Sequence, residues 1–97
     1  MSFSKLRAAN AKRQKEWDRD NQITLSYRGT ELGGEVGEAL NIFKKLERER
    51  LGIKGSRATL DDLAEELADV IICCDLIAMA TGIDLTGAVE KLSLIHI

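Results

Sequence analysis

Acidic side chains recur at matched positions in two segments of the sequence. The segment TELGGEVGEALNIFKKLERER, residues 30–50, contains Glu31, Glu35 and Glu38. A second segment contains Asp62, Glu66 and Asp69, each 31 positions after its counterpart. On a helix with 3.6 residues per turn, residues three and four apart lie on the same side. Both segments therefore predict a helix that carries a stripe of three carboxylates.

An apolar stripe lies beside each acidic stripe. The first consists of Leu32, Val36, Ala39, Phe43 and Leu46, and the second of Leu63, Leu67, Val70, Cys74 and Ile77. Packing of the two apolar stripes would leave both rows of acids along one border of the core, where they can face each other. At an effective dielectric constant of ~20, unit charges about 4 Å apart repel by about 4 kcal/mol. Such acids must diverge into water, take up protons or hold a cation.

Oxygen ligands alone favour a hard divalent ion. Mg²⁺ is usually held by a few carboxylates and keeps water and phosphate oxygens in its other positions. Such a site points to a phosphate substrate, because the ion neutralises charge that develops as a phosphorus–oxygen bond is exchanged. The competing interpretation is a polar flank that keeps the helices solvated, and the residues alone do not separate the two.

Helices are the elements that must position these acids. The chain has 97 residues, no proline and 44% hydrophobic residues, which is typical of one helical domain. We expect four helices, at about 4–18, 26–51 and 60–81 and from about 85 onward. Gly52 and Gly82 would end the second and third, while Thr59 with Asp62 and then Asp84 would cap the third and fourth. The predicted fold class is all-α, a bundle of about four helices per chain.

The composition of the chain argues against several classes of binding partner. A net charge of −2 argues against binding to polymeric nucleic acid. The longest apolar run, VIICCDLIAMA, is too short to span a membrane, and no signal peptide is evident, so we expect a cytoplasmic protein without a membrane partner. The two adjacent cysteines predict neither a disulfide framework nor a zinc motif.

A chain this small with four aromatic residues is expected to form a homo-oligomer, and Gly33 and Gly37 are spaced for close approach of another helix.

The acidic motifs also resemble a known family. Glu35-Val-Gly-Glu38, 27 residues and Glu66-Leu-Ala-Asp69 look like the E-x-x-E, spacer, E-x-x-D signature of the MazG-like all-α nucleotide pyrophosphohydrolases. The phrases GEVGEA and EELADVI strengthen the likeness, which extends from about Lys15 to Lys91 and makes residues 1–97 a single domain of this type. The resemblance implies a homodimer or dimer of dimers. It would use Mg²⁺, or Mn²⁺ as a substitute, to hydrolyse deoxy or non-standard nucleoside triphosphates to the monophosphate and pyrophosphate.

The same resemblance assigns roles to individual residues. The metal ligands would be Glu35, Glu38, Glu66 and Asp69, with Glu35 or Glu38 also orienting the attacking water as the catalytic residue. Substrate binding would involve Trp17, Lys44, Lys45 and Lys91. For Lys44 and Lys45, the competing interpretation is a solvated side chain. Trp17 would border the nucleobase pocket, although an indole near a helix end also covers a core edge in many proteins. The tryptophan that many relatives carry just after Phe43 is missing, so a second aromatic wall is not expected.

Two further expectations concern the end of the chain and the alternative to catalysis. The last residues, LSLIHI at 92–97, look like a translated sequencing adapter, so we expect a non-native tail in which His96 is not a ligand. An active site without the family's natural end would be incomplete, in which case metal would still bind but hydrolysis would be slow. The alternative function is a non-catalytic helical oligomer whose acidic stripe is solvated or binds a basic partner.

Overall fold

The computed structural model describes residues 2–95, and this range folds into four helices without any strand. The helices are α1 (Ser4–Trp17), α2 (Leu25–Leu51), α3 (Leu60–Thr81) and α4 (Leu85–Ile95). The predicted all-α class is therefore confirmed, and the helix limits lie close to those expected from the sequence.

Local signals define the ends of α2 and α3. At the start of α3, Thr59 Oγ1 accepts a hydrogen bond from the Asp62 backbone N–H at 3.1 Å. The Asp62 carboxylate accepts one from the Thr59 backbone N–H at 2.8 Å, which completes the predicted capping box. Gly52 and Gly82 follow α2 and α3 with φ of 69° and 72°. This left-handed conformation suits glycine and ends each helix where the sequence predicted.

The helix pair α2 and α3 forms the centre of the molecule. Ala39 of α2 and Cys73 and Ala78 of α3 are buried, so the core of a single chain consists of small side chains. Part of the predicted apolar stripes stays outside it: Val36, Phe43 and Leu67 are 40%, 49% and 46% exposed. Among the predicted apolar positions, only Ala39 is buried. The buried Cys73 and Ala78 lie beside the stripe predicted for α3, so the contact between the helices is shifted towards smaller side chains than periodicity predicted.

A buried polar group attaches α1 to α3. Asp75 of α3 is completely buried and accepts hydrogen bonds from Arg7 Nε at 3.1 and 3.2 Å and from Asn10 Nδ2 at 2.9 Å. Asn10, equally buried, also donates to the Ile72 carbonyl at 3.3 Å. A buried carboxylate is tolerated only when it is paired and hydrogen-bonded, so these contacts fix where α1 lies on α3.

The last helix, α4, contacts the other helices little. The chain turns by 114° between α3 and α4, and Asp84 Oδ1 accepts a hydrogen bond from the Gly87 backbone N–H at 3.1 Å, the predicted cap. The Phe3 backbone N–H donates to Thr86 Oγ1 at 3.0 Å and ties the N-terminus to this helix. The helix continues to Ile95, beyond the last periodic apolar position, because neither glycine nor proline occurs between Leu92 and Ile95. His96 lies outside the described residues.

Over residues 2–95, none of the helices taken singly has the length and apolar character needed to cross a membrane, and one bent pair, α3 with α4, meets that test.

The molecule is more extended than a compact domain of its length. Its radius of gyration is 16.2 Å, whereas about 12.5 Å is expected for 97 residues. Its accessible surface is 7096 Å², compared with about 5,500 Å² for a folded monomer of 10.7 kDa. A single chain thus leaves about 1,600 Å² more surface exposed than a typical compact monomer.

The capping box makes a prediction about stability. Thr59→Ala removes the side-chain acceptor at the start of α3, and we expect the free energy of unfolding to fall by about 1 kcal/mol. Urea denaturation measures this change. Thr30→Ala is the control, because Thr30 is exposed in the second turn of α2 and its Oγ1 donates only to the Ser26 carbonyl of the same helix at 2.9 Å; it should change stability by less than about 0.5 kcal/mol. Equal effects of the two substitutions would contradict the role of the cap.

Candidate metal centre and adjoining pocket

Three of the predicted metal ligands meet between α2 and α3. One carboxylate oxygen from each of Glu35, Glu38 and Glu66 lies within 4.8 Å of the others. Two of these residues come from α2 and one from α3, so the cluster depends on how the two helices pack. Small side-chain rotations from this spacing bring all three oxygens to one divalent ion, since Mg²⁺ binds oxygens at about 2.1 Å.

Asp69, the fourth predicted ligand, lies beside this group without being a member of it. It is half-buried one turn after Glu66 and lines a pocket together with Glu35. Its negative charge contributes to raising the pKa of both Glu35 and Glu66. Asp69 is therefore close enough to act on the cluster electrostatically.

The two half-buried members of the cluster have perturbed acidities. Burial raises the pKa of Glu35 above its ordinary value, and the charges of Glu38 and Asp69 raise it further. Burial is also the largest cause of the raised pKa of Glu66, followed by its contact with Glu38. In the absence of a cation, such a cluster lowers its energy by binding protons.

The donor set fits a hard cation. Glu35 Oε2 and Glu66 Oε2 are both buried, and neither accepts a hydrogen bond from any described residue. Buried carboxylate oxygens are normally satisfied, because an unpaired one loses its hydration without compensation. Two such oxygens from different helices, next to Glu38, provide the ligand type that Mg²⁺ and Mn²⁺ accept.

A pocket of about 490 Å³ opens beside the carboxylates. Glu35 and Asp69 lie on its wall, and the rest of the lining comes from α1, the connection between α1 and α2, the start of α2 and the middle of α3. The volume is within the range of about 300–1,000 Å³ that is usual for small-molecule sites. A ligand in this pocket would therefore lie directly beside the acidic cluster.

Two aromatic side chains line the pocket. Trp17 at the end of α1 is 76% exposed, so it covers little of the core, and it is one of the residues that line the pocket. The Asp18 carboxylate accepts hydrogen bonds from the backbone N–H groups of Gln22 and Ile23 at 2.7 and 3.0 Å, which fixes the connection that follows Trp17. Tyr27 in the first turn of α2 supplies a second aromatic side chain, which the sequence motif did not predict.

A buried arginine holds the third acid of the α2 stripe. Arg28 NH1 donates to Glu31 Oε1 at 3.2 Å, and the Cys73 thiol lies 3.8 Å from the same oxygen. Burial, with the charge of Glu31, raises the pKa of Cys73 to about 11, so Cys73 stays a thiol. Glu31 is therefore paired within the protein, in agreement with its place outside the predicted ligand set.

The predicted substrate-binding lysines do not line this pocket in a single chain. Lys44 is exposed, and the half-buried Lys45 lies near Asp62, whose pKa is lowered first by hydrogen bonds with Thr59 and then by the Lys45 charge. Lys91 is exposed on α4. The pocket instead contains the cations Arg13 and Arg28. The roles of the three lysines stay predictions.

Several pocket residues were not predicted from the sequence. They are Asn10, Arg13, Gln14, Tyr27 and Arg28. Asn10, Gln14 and Trp17 follow one another at spacings of four and three on α1, which places them on one side of the helix. That spacing was a signal in the sequence, but only the packing of α1 on α3 relates it to the carboxylates.

Comparisons of this chain with protein-family models, with curated proteins and with solved structures found no match. The resemblance to the MazG-like pyrophosphohydrolases therefore stays a prediction that depends on the motif residues.

The charge of the cluster predicts a pH-dependent stability. A raised folded-state pKa stabilises the fold below the ordinary carboxyl value of 4.5, and this stability is lost as pH rises through the folded pKa. Glu66→Gln should have the same Tm as wild type at about pH 4 and a higher Tm at about pH 8 without metal. Added Mg²⁺ should reverse the order at about pH 8, because it binds the wild-type folded state preferentially.

Glu49→Gln is the matched control, since Glu49 is an exposed acid of α2 outside the cluster. Its response to pH and Mg²⁺, measured by calorimetry, should follow that of wild type. Indifference of wild type to Mg²⁺ at every pH, or an equal response of Glu66→Gln, would count against a metal centre.

Proposed function

We propose that this protein is a Mg²⁺-dependent nucleoside triphosphate pyrophosphohydrolase that acts on deoxy or non-standard nucleotides. The observation that carries the proposal is the meeting of Glu35, Glu38 and Glu66 from two helices beside a pocket of nucleotide size. The resemblance of the same residues to the MazG-like signature supports this reaction over other phosphate chemistries. A pool-cleaning activity of this kind would operate in the cytoplasm, where free nucleotides occur.

The pocket residues offer contacts for each part of a nucleotide. Aromatic rings stack on any base, and Trp17 and Tyr27 provide two such surfaces at the pocket. Arg13 forms no ion pair with another described residue, so its guanidinium is available to phosphate oxygens. Glu35 lies on the wall of the pocket and is also a member of the acidic cluster. The triphosphate would thus lie with its phosphates towards the carboxylates.

The carboxylates provide the means of hydrolysis. Glu35, Glu38 and Glu66 would hold Mg²⁺, with Asp69 as a neighbouring ligand or source of charge. When bound, the ion supplies positive charge that stabilises the charge developing on phosphate oxygens. Glu35 or Glu38 would orient a water molecule and accept its proton as the water oxygen attacks phosphorus. The bond between the first and second phosphates then breaks, and pyrophosphate leaves from the monophosphate.

This reaction can be tested directly. Incubation with each nucleoside triphosphate and Mg²⁺ should release pyrophosphate, and Glu35→Gln and Glu66→Gln should each lower the rate by a factor of about 10² or more. Glu49→Gln should retain the wild-type rate. The absence of turnover by wild type with every triphosphate would reject the enzyme proposal. A Tm that also does not respond to Mg²⁺ or nucleotide would favour the non-catalytic oligomer, whose acidic stripe only solvates the helices or binds a basic partner.

The protein would act as a homodimer or a dimer of dimers. A stable interface buries about 800 Å² of surface on each partner. The accessible surface of this chain exceeds that of a compact monomer of the same mass by about twice that area. The exposed side chains Val36, Leu40 and Phe43 recur at spacings of four and three on α2, so they form one stripe. Gly33 lies on the same side of the helix, and a Cβ atom there would meet nothing within 4 Å. The close helix approach predicted for Gly33 is thus absent within one chain and is expected between chains.

A charge placed on that stripe should prevent self-association. Leu40, which is 59% exposed, should tolerate Leu40→Glu in the isolated chain, whereas the charge would be desolvated at an interface between copies. We expect wild type to sediment as a dimer or larger species and Leu40→Glu to sediment as a monomer. Asn41→Glu adds the same charge at the next, already polar position and should leave assembly unchanged. A monomeric wild type, measured by analytical ultracentrifugation, would contradict the proposal.

A further inference from the structure

The first helix is held on the rest of the protein mainly by polar groups. Among the described residues of α1, Asn10 alone is buried, and its Nδ2 donates to Asp75 Oδ2 at 2.9 Å. Arg7 forms an ion pair with the same carboxylate at 3.1 Å. Of the two large apolar side chains in α1, Leu6 is half-buried and Trp17 is 76% exposed. Burial of apolar surface therefore contributes little to holding α1 on α3.

The docked position of α1 also carries a cost. Asn10 Oδ1 is buried and accepts no hydrogen bond from any described residue, and the same holds for Gln14 Oε1, one turn further along the helix. Both residues line the pocket of about 490 Å³. Each oxygen gives up its hydration when α1 docks and gains no donor from the protein in return. A donor in the pocket would remove this cost.

The helix is too short to persist without its contacts to α3. It has 14 residues, and isolated helices shorter than about 12–15 residues are marginal in water. Its first turn contains no acidic residue, and Phe3 at the N-cap position offers no side-chain acceptor, so no local cap compensates. Undocking would therefore unfold α1. It would also remove the wall of the pocket that α1 provides.

We propose that α1 is a lid whose docking on α3 is coupled to occupation of the pocket. In the ligand-free protein, α1 alternates between a docked helix and an open, unfolded segment. A ligand that donates hydrogen bonds to Asn10 and Gln14 shifts this equilibrium towards the closed form. Closure places α1 between the ligand and solvent, beside Glu35 and Asp69. The inference concerns access to the acidic cluster and rests on the proposed function only for the choice of a nucleotide as ligand.

Hydrogen exchange, measured by mass spectrometry, reports the opening of α1. The backbone amides of residues 8–17 bond within the helix, so they exchange when it unfolds. In the ligand-free wild type, we expect them to exchange together and at least about tenfold faster than amides in the middle of α3. The ligands are the four α,β-imido deoxynucleoside triphosphates with Mg²⁺, in which NH replaces the oxygen of the bond that the proposed reaction breaks. At least one of them should slow exchange of α1 by about tenfold or more.

Gln14→Met gives the sharpest variant, because it removes an unpaired acceptor and keeps a side chain of similar length. In the ligand-free chain, its α1 amides should exchange at least about threefold more slowly than those of wild type. The further slowing by nucleotide should be smaller, since one acceptor for the ligand is lost. Gln22→Met is the matched control, because Gln22 is exposed in the connection after α1 and does not line the pocket. Its exchange should equal that of wild type.

Arg7→Gln moves the equilibrium in the opposite direction. It removes the ion pair that holds α1 on Asp75, so the α1 amides of the ligand-free chain should exchange at least about tenfold faster than in wild type. Nucleotide should still slow their exchange, because Asn10 and Gln14 are retained. Slow exchange in the middle of α3 shows that the variant is folded. If it is not folded, Gln14→Met answers the question alone.

Three results would overturn the inference. They are exchange of α1 as slow as that of α3 in ligand-free wild type, no slowing by any of the four nucleotides, and unchanged exchange in folded Gln14→Met. Failure of the proposed function is a different result. In that case, a nucleotide slows the exchange of α1 while no triphosphate releases pyrophosphate.

Discussion

The crowding of carboxylates between α2 and α3 is the constraint on which the rest of the site depends. Packing of the two helices through Ala39, Cys73 and Ala78 brings Glu35, Glu38 and Glu66 within 4.8 Å of one another. The same packing takes oxygens of Glu35 and Glu66 out of water without giving them a donor. The arrangement is unfavourable as long as the acids stay ionised and unpaired, because like charges repel more strongly when they are desolvated. A divalent cation bound between the two helices would make the same geometry favourable, which would link the fold to the proposed chemistry.

The polar helix α1 completes the pocket without adding to the apolar core. Its attachment to α3 depends on the buried group of Arg7, Asn10 and Asp75, and its other polar side chains are left for the pocket. A hydrophobic contact would hold a helix equally well but would not set the direction of an amide. The hydrogen bonds that fix α1 therefore also hold the Asn10 amide in one orientation.

Features encoded by neighbouring residues were predictable from the sequence. The capping box at Thr59, the glycine ends at Gly52 and Gly82 and the facing of the acidic stripes follow from spacing along the chain. Glu35, Glu38 and Glu66 come together as their periodicity predicted, because both stripes border the same helix pair. Asp69 is close to them but outside the group within 4.8 Å, a difference of side-chain placement that helical periodicity does not resolve.

Features that depend on contacts between distant segments were not predictable. Asn10 and Gln14 gain their significance from the position of α1 on α3, and Tyr27 from the connection between α1 and α2. The exposure of Val36 and Phe43 also differs from the expectation, because a periodic stripe does not reveal how much of it one neighbouring helix can cover.

The measurement that tests the central claim most directly is anomalous diffraction from crystals grown with Mn²⁺. The account predicts a single strong peak ligated by carboxylates of both α2 and α3. A peak bound to only one of these helices, or no peak near Glu35 and Glu66, would contradict it.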